Sequence, residues 1–112
     1  MEILNVKIKN VTDVTRNNSG ELYIGLIFST DTGGFYWSFN LLNPVDVMRF
    51  NELMWYTGAN KKRKLNGKNV RIILDKTNAM QAFGHSVNDS FVSIKTKKFI
   101  KATESKFRKM LK

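Results

Sequence analysis

The stretch STDTGGFYW contains Asp31-Thr32-Gly33. An Asp-Thr-Gly loop does acid hydrolysis when two carboxylates come together and share one proton, so that one serves as acid and the other as base. A chain this short would need a second copy to supply the other carboxylate. The loop also needs an apolar-apolar-Gly element packed behind it. Residues 69–75, NVRIILD, offer the apolar run without a following glycine, and Ser29-Thr30 precede the triplet in place of apolar residues. Asp, Thr and Gly are ordinary turn formers, so the triplet reads as the bend of a β-hairpin. His85 is the only histidine, and there is no cysteine. One His with scattered carboxylates makes no familiar zinc site. Gly67-Lys68-Asn69 lacks both the first glycine and the hydroxyl of a phosphate-binding loop. No serine stands in a Gly-x-Ser-x-Gly turn. These residues point to no catalytic group, no metal and no cofactor, and the expectation is a protein that is not an enzyme.

Charge points elsewhere. The chain carries +10 at neutral pH, which suits a polyanionic partner. Residues 1–56 hold 4 Lys+Arg against 6 Asp+Glu, while residues 57–112 hold 15 against 3. Single-strand nucleic-acid binders combine such charge with exposed aromatic faces, each stacked base contributing roughly 1–3 kcal/mol. The basic candidates are Lys61, Lys62, Arg63, Lys64, Lys68 and Arg71, then Lys95, Lys97, Lys98 and Lys101, and a tail of Lys106, Arg108, Lys109 and Lys112.

The elements that must position these residues follow from periodicity. A length of 112 residues implies one domain, 1–112. Residues 3–14 alternate with Leu4, Val6 and Ile8 on one face and Lys7 and Lys9 on the other, which predicts a strand. Residues 15–20 form a polar loop. Residues 21–30 and 35–42 form two further strands. A tight loop over Asp31–Gly34 pairs Thr30 with Phe35, Phe28 with Trp37, Leu26 with Phe39 and Ile24 with Leu41. All large apolar residues then share one side, leaving Tyr23, Ile27, Tyr36, Ser38 and Asn40 on the other. Tyr23 and Tyr36 are therefore the aromatic candidates for base stacking, with Phe83 a third in a loop between strands four and five.

Asn43-Pro44-Val45-Asp46 has the cap, first-turn proline and acidic residue of a helix start. Val47, Phe50 and Met54 have helical spacing, and Gly58 is a natural stop. Asn66-Gly67 signals a turn before a strand at 69–75. Two short strands follow around MQAFGHSV and SFVSIK. A helix over 103–112 with apolar Phe107, Met110 and Leu111 closes a basic C-terminal segment, about 99–112. The fold class is mainly β: an OB-like five-stranded barrel with a helix between strands three and four and a short C-terminal helix, with a rolled α+β sheet as the alternative.

In order and spacing the aromatic strand FYWSFNLL, the helix NPVDVMRFNELMWYTGA and the step LNGKNVRIIL resemble the small OB-fold single-stranded DNA-binding proteins of phage replication and recombination modules. Leu65, Gly67 and Lys68 fit the Leu-x-Gly-Lys step that follows the helix in such proteins. The resemblance covers roughly residues 3–95. It implies single-stranded DNA binding with little sequence preference, in the cytoplasm of a bacterial host. One departure stands out: many such proteins end in an acidic tail that recruits partners, and this chain ends KFRKMLK. A homo-oligomer and an acidic protein partner are both compatible with the sequence. The alternative reading is a small phage-type interaction protein whose basic face blocks a host protein or binds RNA or duplex DNA. No apolar run reaches the ~18 residues of a membrane span, and no basic-then-apolar leader opens the chain, so no membrane partner is expected.

Overall fold

The computed structural model describes residues 1–111. Its elements run β1 (Glu2–Lys9), β2 (Thr15–Arg16), β3 (Leu22–Thr30), β4 (Gly33–Asn40), α1 (Pro44–Thr57), a 3-10 turn at Lys62–Leu65, β5 (Asn69–Leu74), β6 (Met80–Gly84), β7 (Phe91–Ser93), β8 (Lys101–Ala102) and α2 (Glu104–Met110). The fold is mainly β. All eight strands join one antiparallel sheet in the order β2-β3-β1-β5-β6-β7-β8, with β4 on the remaining edge of β3. The helix expected after the third long strand is present as α1. The sheet is not closed into a barrel. The far edge of the sheet is the two-residue strand β8, and among the described residues no pairing joins it or β7 to β4.

The hairpin turn holds only Asp31 and Thr32. Thr30 pairs with Gly33, Phe28 with Phe35, Leu26 with Trp37 and Ile24 with Phe39. The register therefore differs by two residues from the sequence expectation. The expected loop kept Gly33 and Gly34 outside the strand, but both glycines are strand residues. Gly33 has φ 156°, and a Cβ at Gly34 would lie 2.7 Å from Cγ2 of Ile27. A slip of two preserves which face each side chain takes, because side chains alternate with period two.

Helix α1 is built as its sequence suggests at both ends. The Asn43 side chain accepts from the N–H groups of Val45 at 2.9 Å and Asp46 at 3.3 Å. Gly58 takes the left-handed φ of 70° that ends the helix. Its buried line differs from expectation. Arg49, Leu53 and Tyr56 are buried, while Val47, Phe50 and Met54 are half-buried on the flank. The helix is turned because the Arg49 guanidinium finds acceptors inside, described below.

The two helices cover opposite faces of the sheet. Helix α1 closes the main core, where Leu53 and Tyr56 meet Val6, Leu26, Phe28, Phe39, Ile72 and Phe83. Helix α2 sets Phe107 against Ile73, Ala82 and Phe91 on the other side. Burying one such ring contributes about 2 kcal/mol. Strands β5, β6 and β7 are thus buried on both faces. Along β1 the same face that meets α2 near Ile3 continues outward as Asn5, Lys7 and Lys9 without helical cover.

Strand β4 pairs only with β3. The Leu41 N–H bonds the Leu22 carbonyl, and antiparallel alternation then turns the N–H and C=O groups of Gly34, Tyr36, Ser38 and Asn40 away from β3. Asn40 gives its N–H to Asp46 Oδ2 at 2.9 Å. The other three have no backbone partner among the described residues.

Candidate nucleic-acid interface

The helix-free half of the outer sheet face is made by β1, β3 and β4. One row across it pairs Lys9 with Ile27 and Ile27 with Tyr36. The next pairs Asn69 with Lys7, Lys7 with Ser29 and Ser29 with Gly34. Paired residues on neighbouring strands lie on the same face, at strand spacings of about 4.8 Å. Tyr36 therefore stands about 10 Å from Lys9, two strands across. Tyr36 is 66% exposed. Its ring end lies on Gly25, where any Cβ would come within about 3.0 Å of the ring carbons. Gly25 thus holds the ring down on the sheet and leaves its other side to solvent. A depression of about 220 Å³ on this face is lined by Lys7, Lys9, Ser29, Thr30, Asp31 and Asn69 among others.

Lys7 and Lys9 form no ion pair among the described residues, and the Lys68 backbone lies opposite Ile8, the residue between them. Ile8 N–H donates to the Lys68 carbonyl and Gly67 N–H to the Ile8 carbonyl, at 2.9 and 2.7 Å. The Val11 N–H bonds Asn66 Oδ1 at 3.1 Å, and the Lys62 ammonium meets Asp13 at 2.5 Å. The 8–13 segment thereby ties the Lys61–Lys64 run to the end of β1. The sequence split into an acidic and a basic half does not hold in space, because β1 pairs with β5.

No protein-family model, curated protein or solved structure matches this chain. The geometry alone sorts the sequence candidates. Tyr36 is exposed on the face just described, and Lys61, Arg63, Lys64 and Lys68 are exposed on the segment between α1 and β5. Lys62 is half-buried against Asp13.

Tyr23 lies on the same face as Tyr36 but four residues along β3, about 13 Å away. It is half-buried, and Glu21 beside its hydroxyl pushes the phenol pKa up, with Asp46 adding to the effect. That end of the face is acidic and does not suit phosphate.

Phe83 is corrected outright. It is a β6 residue with no exposed surface, stacked near Phe28 at 6.3 Å and edge-on to Phe39 and Tyr56. The expected loop position fails because the pairing of β5 with β6 sets it opposite Ile72 in the core.

Arg71 turns to the 85–88 turn. It donates to the carbonyls of His85 at 2.8 Å and Asn88 at 2.6 Å, and its guanidinium sits 4.9 Å from the Phe91 ring centroid. These bonds commit most of its donors. Lys95, Lys97 and Lys98 lie elsewhere, on the loop after β7. The Lys95 ammonium is 5.7 Å from the ring centroid of Trp37, which faces the opposite side of β4 from Tyr36. Lys101 reaches Glu52 at 2.5 Å, and Lys112 lies outside the described residues.

Two residues escaped the sequence reading. Arg49 is 5% exposed. It donates from Nε to the Ser93 carbonyl at 2.8 Å, from Nη2 to the carbonyls of Thr96 and Lys98, and from Nη1 to Asp46 at 3.0 Å. It straps the Lys95–Lys98 loop to α1. Trp55 is 79% exposed on α1. Lys7 and Lys9 were legible as outward residues, but their neighbours were not.

His85 has a structural place. Its Nδ1 accepts from the N–H groups of Val87 and Asn88 at 3.0 and 2.9 Å. Among the described residues no cluster of three or more His, Asp or Glu side chains is placed to hold a metal ion. No helix among them is long and apolar enough to cross a membrane.

Proposed function

We propose that this chain binds single-stranded nucleic acid, DNA in preference, with little sequence preference. The observation that carries the reading is Tyr36: an aromatic ring 66% exposed on a helix-free sheet face, in one row with Lys9 and one row from Lys7. A base stacks on the ring while the lysines meet the flanking phosphates. Backbone charge and stacking read no base edges, hence the weak sequence preference. Duplex DNA keeps its bases stacked inside and offers Tyr36 nothing. The helix after the third long strand supports an OB-like layout. The resemblance in element order supports a role in phage or mobile-element replication and recombination.

The test is a titration of an oligothymidine and a duplex at several salt concentrations. Tyr36→Leu keeps cover over Gly25 and removes the ring. It is expected to weaken single-strand binding about 5- to 100-fold, the equivalent of roughly 1–3 kcal/mol, and to leave duplex binding nearly unchanged. Tyr23→Leu is expected to change little. Replacing Lys7 and Lys9 together by Ala should lower the salt slope by about 1.4. Equal loss for both nucleic acids on Tyr36→Leu, or no binding at low salt, would overturn the reading.

A further inference from the structure

Helix α1 shows solvent an indole that the fold does not use. Trp55 is 79% exposed, the most exposed large apolar residue of the described chain. It forms one wall of a cavity of about 540 Å³ whose other walls are Asn51, Met54, Gly58 and Ala59. The cavity exists because the chain turns away at Gly58 in the left-handed conformation, and nothing lies within 4 Å of where a Cβ there would point. The indole face and the floor of Met54 and Ala59 are apolar, and the Asn51 amide stands at the side.

The chain that leaves this cavity is basic, and Lys61 and Arg63 line a neighbouring depression with Lys62 and Asp13. Ala59 is two residues from Lys61, a reach of at most about 7 Å. Lys61, Arg63 and Lys64 are exposed and form no ion pair among the described residues. The nearby carboxylates are occupied: Glu52 by Lys101 and Asp13 by Lys62. The helix C-terminus contributes only about half a negative charge, which the three free cations outweigh. The patch is also too small for a protein interface. Asn51 separates Trp55 from Met48, the next exposed apolar residue along the helix, whereas stable protein contacts bury about 800 Å² per partner.

We propose that Trp55 is a second base-stacking site, in which an unstacked nucleobase enters the Trp55–Met54–Ala59 cavity and its phosphates lie against Lys61, Arg63 and Lys64. The inference rests on the single-strand reading above and extends it. The strand leaves Tyr36, passes Lys9, rounds the end of β1 where residues 8–11 meet residues 66–68, follows the 3-10 turn and ends on Trp55. The contact is aromatic and cationic, so it serves any base.

The chain has two tryptophans, Trp37 and Trp55, so Trp37→Phe leaves Trp55 as the only indole emitter. Oligothymidine of about 12 nucleotides is titrated into this protein at low salt, and emission is followed also across protein concentration. The expected result is strong quenching at saturation. In parallel, Trp55→Ala should weaken binding about tenfold, within the range of one stacked base. Alanine on an exposed helix face keeps the fold. Unchanged emission at saturation, with Tyr36→Leu still weakening binding, overturns this inference and leaves the first reading standing. Emission that ignores oligonucleotide but shifts with protein concentration assigns the surface to a second copy and overturns it too. Absence of any oligonucleotide binding removes both.

Discussion

Replacing Arg49 by Met tests how the basic loop after β7 is held. The side chain keeps its length and loses its donors. The carbonyls of Ser93 and Thr96 lose the Arg49 donors, the Lys98 carbonyl keeps only the Thr96 hydroxyl, and Asp46 keeps only the Asn40 N–H. Hydrogen bonds to a charged group contribute about 1.5–3 kcal/mol each. The loop carbonyls can turn to water, so the full sum does not apply. Breaking a buried pair while leaving one partner costs about 3–5 kcal/mol, and about 3 is the expected loss here. A chain of this length is stable by roughly 6–17 kcal/mol, so the variant folds. The urea midpoint should fall by more than about 1 M, given slopes of about 1–3 kcal/mol/M. Trypsin, which cuts after Lys95, Lys97 and Lys98, should cleave this loop about 100-fold faster if cleavage follows the open population. Arg49→Lys should be intermediate, because one ammonium cannot span acceptors held by a planar fork. A midpoint within about 0.3 M of the parent together with unchanged tryptic rates would refute the strap.

Trp37 buries its Nε1–H without an acceptor among the described residues. Trp37→Phe removes that orphaned donor, a gain of about 1–3 kcal/mol, and loses about 1 kcal/mol of burial and the contact with Lys95. Urea unfolding should place it within about 1 kcal/mol of the parent or above it, and a loss beyond ~2 kcal/mol would show the indole to be satisfied. Burial is the main cause that pushes the Tyr56 phenol up to about 12, assisted by the charge of Glu52 and opposed by the bond to Ser90. The folded state then holds this proton more tightly than the unfolded chain, whose tyrosine titrates near ~10. The stabilisation is complete below pH ~10 and is lost as pH rises toward ~12, by about 1–2 kcal/mol after allowing for partial solvent screening. The slope of urea midpoint against alkaline pH should be shallower in Tyr56→Phe, and equal slopes would refute the assignment.

What could be read in the sequence was local. The Asn43 cap, Pro44 and Gly58 fixed α1 to the residue, since each acts within one turn. Period two gave the faces of β3 and β4 correctly, and hence the outward Tyr36. It could not give the register, because a shift of two residues leaves every face unchanged, and the choice fell to how closely Gly34 approaches Ile27. The buried side of α1 was hidden for a different reason. A charged residue in the apolar line looks wrong until its acceptors, 44 to 49 residues away, are known. Trp55 drew no reading for the same reason: composition does not say which way a helix is rolled. Lys7 and Lys9 gained their meaning only from the pairing of β1 with β5.

The free edge of β4 bears on how this protein must be handled. Gly33–Asn40 contains no charged residue and no proline, the devices that usually stop one sheet edge from adding to another. Only Asp46 guards it, at the Asn40 end. The +10 charge of each chain opposes such joining, by a repulsion whose range shrinks from about 30 Å at 0.01 M salt to about 3 Å at 1 M. Concentrated salt, or a polyanion that neutralises the lysines, removes that barrier while leaving the edge intact. Solubility in this fold is therefore a property of the buffer as much as of the sequence.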